Sequence, residues 1–229
     1  MQHNFFKLLF IVFLFTLFSF SQNTFAQLSG TYTIPGTPFT TIKKAADSLN
    51  IVGVGIGGVT FNVSSGYSEN ISSAITITAT GTVSNPIIFQ KSGGGANPVV
   101  TRTDAGSLLT SVRGGAGDAV IRFEGTDYIT FNGINVAATD QEIEYGYLTH
   151  KPSGTNGCQN VTIKNCSITL TKGISPFVSG IYIGNGTNSL ARGRIRLFLN
   201  SMQSIRARDS LIRFRSLAPP TQSSPSSPL

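Results

Sequence analysis

Apolar and polar positions follow two different periods along this chain, and the change from one to the other comes early. In "FTTIKKAADSLN", Phe39, Ile42, Ala46 and Leu49 recur at helical spacing with Ala45 beside them, and Lys43, Lys44, Asp47 and Ser48 fill the other face. Pro38 and Thr40 suit the beginning of such a helix and Asn50 its end. The pattern predicts one short amphipathic helix that covers something apolar. From Val59 onward the period drops to two, with Val59, Phe61 and Val63 alternating with Thr60, Asn62 and Ser64. "AITITAT", "PIIFQ", "AVIRFEG" and "SGIYIG" continue in the same style between Gly, Asn and Ser turns, with no second helical stretch before Leu190. Strands without intervening helices predict an all-β body.

One stretch between helix and strands imitates a cofactor motif. Gly53, Gly55 and Gly58 match G-x-G-x-x-G. A dinucleotide turn needs a strand before it and a helix after it, so that the helix N-terminus faces the pyrophosphate. Here the order is reversed, so these glycines are expected in a turn and no cofactor is assigned.

A ten-residue pattern is written twice. "DYITFNGINV" (127–136) and "QNVTIKNCSI" (159–168) superimpose so that Ile129 meets Val161, Phe131 meets Ile163, Ile134 meets Cys166 and Val136 meets Ile168. A polar pair interrupts each copy, Asn132-Gly133 in one and Lys164-Asn165 in the other. Two β-hairpins are one reading, because Asn-Gly between alternating apolars is a strong hairpin signal. Lys164, however, is poorly suited to the positive φ of a type I′ turn. A bent strand needs only one left-handed residue per copy, Gly133 or Asn165, and both residue types accept that conformation. Successive copies would then stack like on like, each supplying the apolar cover its neighbour lacks.

On these residues the chain resembles the right-handed parallel β-helix proteins of the pectin-lyase-like superfamily. "FTTIKKAADSLN" followed by "GGVTFNVSSGYSE" is similar to their N-terminal cap and first coil, and the two ten-residue copies to their repeating coils. "LSGTYTIPG" is similar to the openings of large bacterial surface proteins exported by the type IX system. The resemblance spans roughly Leu28 to Gly186 and implies an all-β fold, a right-handed parallel β-helix with a short N-terminal capping α-helix. It implies little about chemistry. The chain carries no sorting domain of the type IX kind, which reads as an N-terminal fragment.

Charge and leader sequence change the picture in two ways. Lys7 is the one charge before Gln27, and it precedes the thirteen-residue apolar run Leu8 to Phe20, followed by Ser21-Gln22-Asn23 and Thr24-Phe25-Ala26. That is the layout of a secretory signal peptide cut after Ala26, and the run is shorter than the roughly 18 residues a spanning helix needs. The chain is therefore expected to be secreted or held at the cell surface, with residues 1–26 as signal peptide and no membrane span after cleavage. The net charge of +7 does not mark a nucleic-acid binder. Residues 27–190 hold nine basic and nine acidic residues, Lys7 adds one charge, and residues 191–229 supply the other six through seven Arg and Asp209. A nucleic-acid domain spreads its cations over a folded face.

That tail also holds a single glycine, Gly193, against twenty-four in residues 27–190, and it ends in "APPTQSSPSSPL". A basic amphipathic helix with Phe198, Met202, Ile205 and Ile212 on one face is one reading, but Arg206, Arg208 and Asp209 break the face. The simultaneous jump in Arg, Gly and Thr usage favours a disordered or frame-shifted segment over 191–229, with residues 27–190 as the β-helix domain. Two cysteines in an exported chain invite a disulfide. Cys158 and Cys166, though, are separated by a strand and a turn, which carries their Cα atoms out of disulfide reach. Cys166 fills the slot of Ile134 and reads as a small buried apolar residue.

The available chemistry is thin. Hydrolases of the resembled superfamily carry several aspartates, often adjacent, with a histidine nearby; here no two acids are adjacent and His150 is the one histidine after residue 26. Asp140, Glu142 and Glu144 form the one local acidic cluster, in the insertion between the two copies. On a strand they would share a face and could hold calcium through oxygen ligands; the bland alternative is a solvated loop. Lyases of the superfamily pair calcium with an Arg or Lys base, and nothing in the sequence ties Arg102, Arg113 or Arg122 to those acids. His150-Lys151-Pro152 reads as an exposed loop. Tyr145, Tyr147 and Tyr128 could form a shallow sugar-stacking strip, or could half-cover the apolar interior. Thr76-Ile77-Thr78 raises ice binding, but one triplet without a ladder is too little. Asn-x-Ser/Thr triplets at Asn62, Asn70, Asn160, Asn165 and Asn185 matter only in a eukaryotic secretory pathway.

The reading is a non-catalytic exported β-helix module of a cell-surface or extracellular protein, contacting polysaccharide or cell-surface glycan. No catalytic, metal or cofactor residue is assigned, and no nucleic acid is expected as partner. The alternative is an N-terminal fragment of a polysaccharide lyase or glycoside hydrolase.

Overall fold

The computed structural model describes residues 26–107, 118–171 and 178–184, together with the backbone of three strands between 194 and 214. Among the described residues the chain is mostly β, and every strand pairing is parallel. Strand β1 (Leu28–Ile34) leads to the helix α1 (Ile42–Val52), then to β2 (Val54–Ser64), β3 (Ser68–Ile71) and β4 (Ile75–Ile77). There follow β5 (Ile87–Ser92), β6 (Val99–Arg102), β7 (Ala119–Glu124), β8 (Ile129–Asn132), β9 (Asn135–Ala138) and β10 (Tyr145–His150). The described strands end with β11 (Val161–Lys164), β12 (Ile168–Leu170), β13 (Ser179–Gly184), β14 (Arg194–Phe198), β15 (Ile205–Arg208) and β16 (Leu211–Phe214).

Among the described residues these strands form three sheets. The first runs β1-β2-β5-β8-β11-β14-β16, the second β3-β6-β9-β12, and the third β4-β7-β10-β13-β15. From β2 to β13 the chain visits first, second and third sheet in strict rotation, one strand per visit. The last three strands fall on the first, third and first sheets, so part of residues 191–214 is extended backbone paired onto the stack rather than the amphipathic helix that one reading of the tail offered.

The repeated pattern accounts for that rotation. β8 and β11 pair in parallel with Thr130 beside Thr162 and Phe131 beside Ile163, while β9 and β12 place Val136 beside Ile168. Two hairpins would have paired each copy with itself, antiparallel. The polar pair is instead a bend, with Gly133 at φ 71° and Asn165 at φ 54°, the left-handed region that Gly and Asn tolerate. Side chains cross-brace the bend: Asn165 Nδ2 donates to Asn132 Oδ1 at 2.8 Å, and the Ser167 N–H donates to Asn135 Oδ1 at 2.8 Å. A second left-handed residue opens each copy, Tyr128 (φ 50°) and Asn160 (φ 54°). At that corner the Tyr128 N–H donates to the Gln159 carbonyl and the Gln159 N–H to Asp127 Oδ1.

Like side chains stack along the interior. Phe61 lies 4.5 Å from Phe89 and Phe89 4.8 Å from Phe131, centroid to centroid, with near-parallel rings; Tyr32 extends the column at 5.7 Å. Ile87, Ile129 and Val161 form the neighbouring row, all fully buried. Each such side chain contributes about 1.5–3 kcal/mol by leaving water, and the parallel register is what brings the rows into line. The second sheet is thinner, with Val100 and Val136 buried and Ile168 half-buried.

Helix α1 starts and ends two residues beyond the positions its sequence marks. Thr41, not Thr40, caps it, accepting from the Lys44 N–H at 3.0 Å, and Gly53 closes it by donating to the Leu49 carbonyl. Ile42, Ala45, Ala46 and Leu49 are buried against β1, β2 and β4. The buried carboxylate of Glu69 on β3 accepts from the first two helical N–H groups, Ile42 at 2.7 Å and Lys43 at 3.0 Å, where the positive end of the helix dipole favours an anion. Tyr67 donates to the same carboxylate, and burial together with that negative neighbour pushes its phenol up to about 12. Asn50 does not end the helix. Its side chain donates to the Thr76 carbonyl and accepts from the Thr78 and Ala79 N–H groups, satisfying the open edge of β4.

Candidate functional site

The acidic cluster of the insertion belongs to the corner where the second sheet hands over to the third. Asp140 and Glu142 lie in the turn after β9, and Glu144 precedes β10, so the three do not share a strand face. Their environment is structural. Asp140 Oδ1 accepts from the Glu142 and Gly106 N–H groups, and Glu144, fully buried, accepts from the Asp118 N–H at 2.9 Å. Arg102, at the end of β6, is the cation of this corner. It holds Asp104 through two 2.8 Å bonds, reaches Asp118 at 3.2 Å and donates to the Ala119 carbonyl. The Arg102 bonds hold the Asp104 carboxyl below its usual range. Arg102 is thus linked to Glu144 through Asp118, a tie the sequence did not reveal. Arg113 lies outside the described residues. Among the described residues, no group of His, Cys, Asp and Glu side chains is arranged to hold a metal ion.

His150 is not in an exposed loop. It ends β10, and its neighbour Lys151 is buried. Parallel register sets His150 beside Glu124 of β7, and Leu148 beside Arg122. Arg122, Glu124 and His150 point outward from the third sheet, because Ile121, Phe123, Tyr147 and Thr149 take the alternate, buried positions, while Leu148 is buried in a separate cluster with Ala119, Tyr145 and Tyr182. Arg122 Nε meets Glu124 Oε1 at 2.7 Å, His150 Nδ1 lies 3.6 Å from the same oxygen, and Arg122 reaches His150 Nδ1 at 3.4 Å. These side chains are about a quarter exposed. Burial first, and then repulsion from the Arg122 cation, hold the imidazole below its usual value, with Glu124 opposing. Arg122 and Glu124 are two apart on one strand, which the alternating sequence shows; their meeting with His150 needed the register.

The tyrosine strip is overturned. Tyr145 and Tyr147 have no exposed surface. Tyr147 stacks on Phe123 in the core and donates to the Ile134 carbonyl at 2.7 Å, and Tyr145 stacks on Tyr182 at 4.8 Å. Only Tyr128 stays half-exposed. Cys158 and Cys166 are free, buried thiols, each pushed up to about 11 by burial and so held as un-ionised apolar groups. Thr76-Ile77-Thr78 is clasped by Asn50 and forms no ladder.

A ladder does exist on the first sheet. Register aligns Thr31, Thr60, Ile88, Thr130 and Thr162 in one outward row and Thr33, Asn62, Gln90, Asn132 and Lys164 in the next. From Thr60 to Lys164 these residues are half-exposed, and Thr31 and Thr33 are exposed. Gln90 Nε2 donates to Asn62 Oδ1 at 3.0 Å. Neighbouring rungs lie about 4.8 Å apart and the two rows about 6.6 Å, both from strand geometry. Lys164 is the one charge among these ten positions; beyond β11 the register continues the first row to Arg196 and Arg213 and the second to Phe198. The sequence hid this surface because its members are spread over strands about thirty residues apart.

Among the described residues no helix is long and apolar enough to cross a membrane. No family model matches the chain, and no curated protein and no solved structure matches it either.

Proposed function

We propose that this chain is a non-catalytic, exported right-handed parallel β-helix module that contacts polysaccharide or cell-surface glycan through the outer face of its first sheet. The rotation of strands through three parallel sheets supports the solenoid, and parallel crossovers are right-handed in nearly all proteins. The burial of α1 against β1, β2 and β4, fastened by Glu69 and Asn50, supports its role as the N-terminal cap. The leader before Gln27 supports export to the cell surface or medium. The observation that carries the glycan reading is the double row from Thr31 and Thr33 to Thr162 and Lys164, whose members apart from Ile88 and Lys164 all carry a hydroxyl or an amide. From β1 to β8 these positions are uncharged and regularly spaced, so they can exchange hydrogen bonds with the hydroxyls of an extended neutral sugar chain, and none of them is an acid or a base.

Affinity electrophoresis through gels containing neutral polysaccharides tests this. Retardation by at least one of them is expected, and it should be lost in Thr60→Lys/Thr130→Lys, which puts two charges into the row without touching the interior. Unretarded migration in every gel overturns the glycan reading.

A second reading is supported by one observation, the Arg122–Glu124–His150 contact on the outer face of the third sheet. In that reading the chain is part of a polysaccharide lyase or glycoside hydrolase. Turnover of a polysaccharide that disappears in both Glu124→Gln and His150→Asn would put it first.

A further inference from the structure

We propose that Gln27 is converted to a pyroglutamyl lactam once the leader is removed, making residue 27 a modification site. This rests on cleavage after Ala26, part of the export reading above. Cleavage frees the α-amine of a glutamine, whose own side-chain carboxamide lies a five-membered ring away. The amine attacks Cδ, the N–Cδ bond forms, the Cδ–Nε2 bond breaks, and Nε2 leaves as ammonia carrying a proton from the amine. The step is intramolecular, so the reactants are already in proximity, and it needs neither oxidant nor added water.

The fold leaves this end free to react. Parallel pairing of β1 begins at Leu28, whose N–H donates to the Gly53 carbonyl at 3.0 Å, so Gln27 stands one residue outside the ladder and is exposed. Its side chain lies over two glycines. Gln27 Nε2 is 3.7 Å from where a Cβ of Gly53 would stand, and Gln27 Cβ is 3.3 Å from where one of Gly55 would. A side chain at Gly55 would crowd the residue that has to close the ring. The stub is also short. Five residues beyond Gln27, Tyr32 stacks on Phe61, and Ile34 is fully buried two residues later. An aminopeptidase starting at Gln27 would therefore cut straight into the strand that covers the first turn of the aromatic column. A lactam has no α-amine and gives such an enzyme no substrate.

The test uses the full chain expressed with its own leader in an exporting bacterium. Free amines are acetylated at recovery, before tryptic digestion, so that a lactam formed during handling is scored as acetylated Gln27. Trypsin does not cut at acetylated lysine, so the expected N-terminal peptide runs from Gln27 to Arg102, unacetylated at its terminus and lighter by one ammonia than the same peptide with an open glutamine. A peptide beginning with acetylated Gln27 overturns the lactam and leaves the cleavage site standing. A terminus at any other residue overturns the cleavage site, and the lactam with it. A Gln27→Ala chain, which cannot cyclise, should lose residues from its terminus under aminopeptidase while the parent chain does not; equal trimming of both also overturns the proposal.

Discussion

Replacing Phe89 by Ala should remove the middle of the aromatic column. Phe89 is fully buried, with Phe61 4.5 Å away on one side and Phe131 4.8 Å on the other, each ring within about 22° of parallel. Truncating a buried phenylalanine costs about 3–5 kcal/mol, and the spread reflects how far the surroundings can collapse into the space. Here collapse is resisted, since backbone ladders to β2 and β8 fix the neighbouring strands at about 4.8 Å spacing. The loss should therefore lie in the upper half of that range. It includes two ring pairs worth about 0.5–1.5 kcal/mol each. Ile88, next along β5, faces outward and is half-exposed, so Ile88→Ala should cost about 1 kcal/mol or less. Urea unfolding followed by far-UV circular dichroism reads both, and the absence of Trp does not matter to that signal. A domain with about 5–15 kcal/mol in hand can show the difference. Phe61→Ala combined with Phe89→Ala should depart from additivity by about 0.5 kcal/mol or more, because the two rings share a contact. Equal losses in Phe89→Ala and Ile88→Ala, or strict additivity of the ring pair, would refute the stacked interior.

Oxidation of a Thr130→Cys/Thr162→Cys chain should cross-link efficiently, whereas Thr130→Cys/Asn135→Cys should not; the opposite result, read on non-reducing gels and by peptide mapping, would return the two copies to hairpins. Asn50→Ala should lower stability by about 1.5–4.5 kcal/mol, three hydrogen bonds at their usual net worth, and should speed amide exchange at Thr78 and Ala79 before it affects β8; unchanged exchange there would count against the clasp. His150 takes up its proton at lower pH in the folded chain than near the usual 6.5 of the unfolded one, so its contribution is complete above that value and is lost as pH falls through it. The urea midpoint should therefore drop more between pH 7.5 and 5.5 in the parent than in His150→Gln, and parallel profiles would show that burial and Arg122 together do not disfavour the imidazolium.

Much of the interior could be read from residue order, and most of the exterior could not. Period-two alternation marks β2, β5 and β8 because one side of each is buried and the other wet. It fails at β10, where Tyr145 to Thr149 are all buried and the run lost its strand signature in what looked like an insertion. Glycine and asparagine mark the bend at Gly133 and Asn165, since those residue types accept a left-handed backbone. The matching bend at Tyr128 is invisible, because tyrosine rarely adopts that conformation and tertiary pairing with Gln159 holds it there. The candidate surfaces are invisible for a different reason. A threonine row or a Glu124–His150 contact is a property of register, and register joins residues far apart in the chain. Tyr145 and Tyr147 show the converse: local alternation made them look like a strip, and two neighbouring strands buried them.

The outer face of the third sheet limits what chemistry could occur there. Glycoside hydrolysis with two carboxyl groups needs one to deliver a proton to the departing oxygen and a second across the bond. Glu124 is ion-paired to Arg122 at 2.7 Å, which makes it an acceptor rather than a donor. His150, held below its usual value, is neutral at pH 7 and has no surplus proton to give. At the neighbouring corner Asp140 and Glu144 accept from backbone N–H groups, and Arg102 holds Asp104 and Asp118. Elimination asks for less, since a neutral imidazole can accept a proton while an adjacent guanidinium stabilises negative charge. If this face acts on a polysaccharide at all, the product should carry a new carbon–carbon double bond and absorb in the ultraviolet. Release of reducing ends without that absorbance would mean that a proton donor exists that Arg122, Glu124 and His150 do not supply.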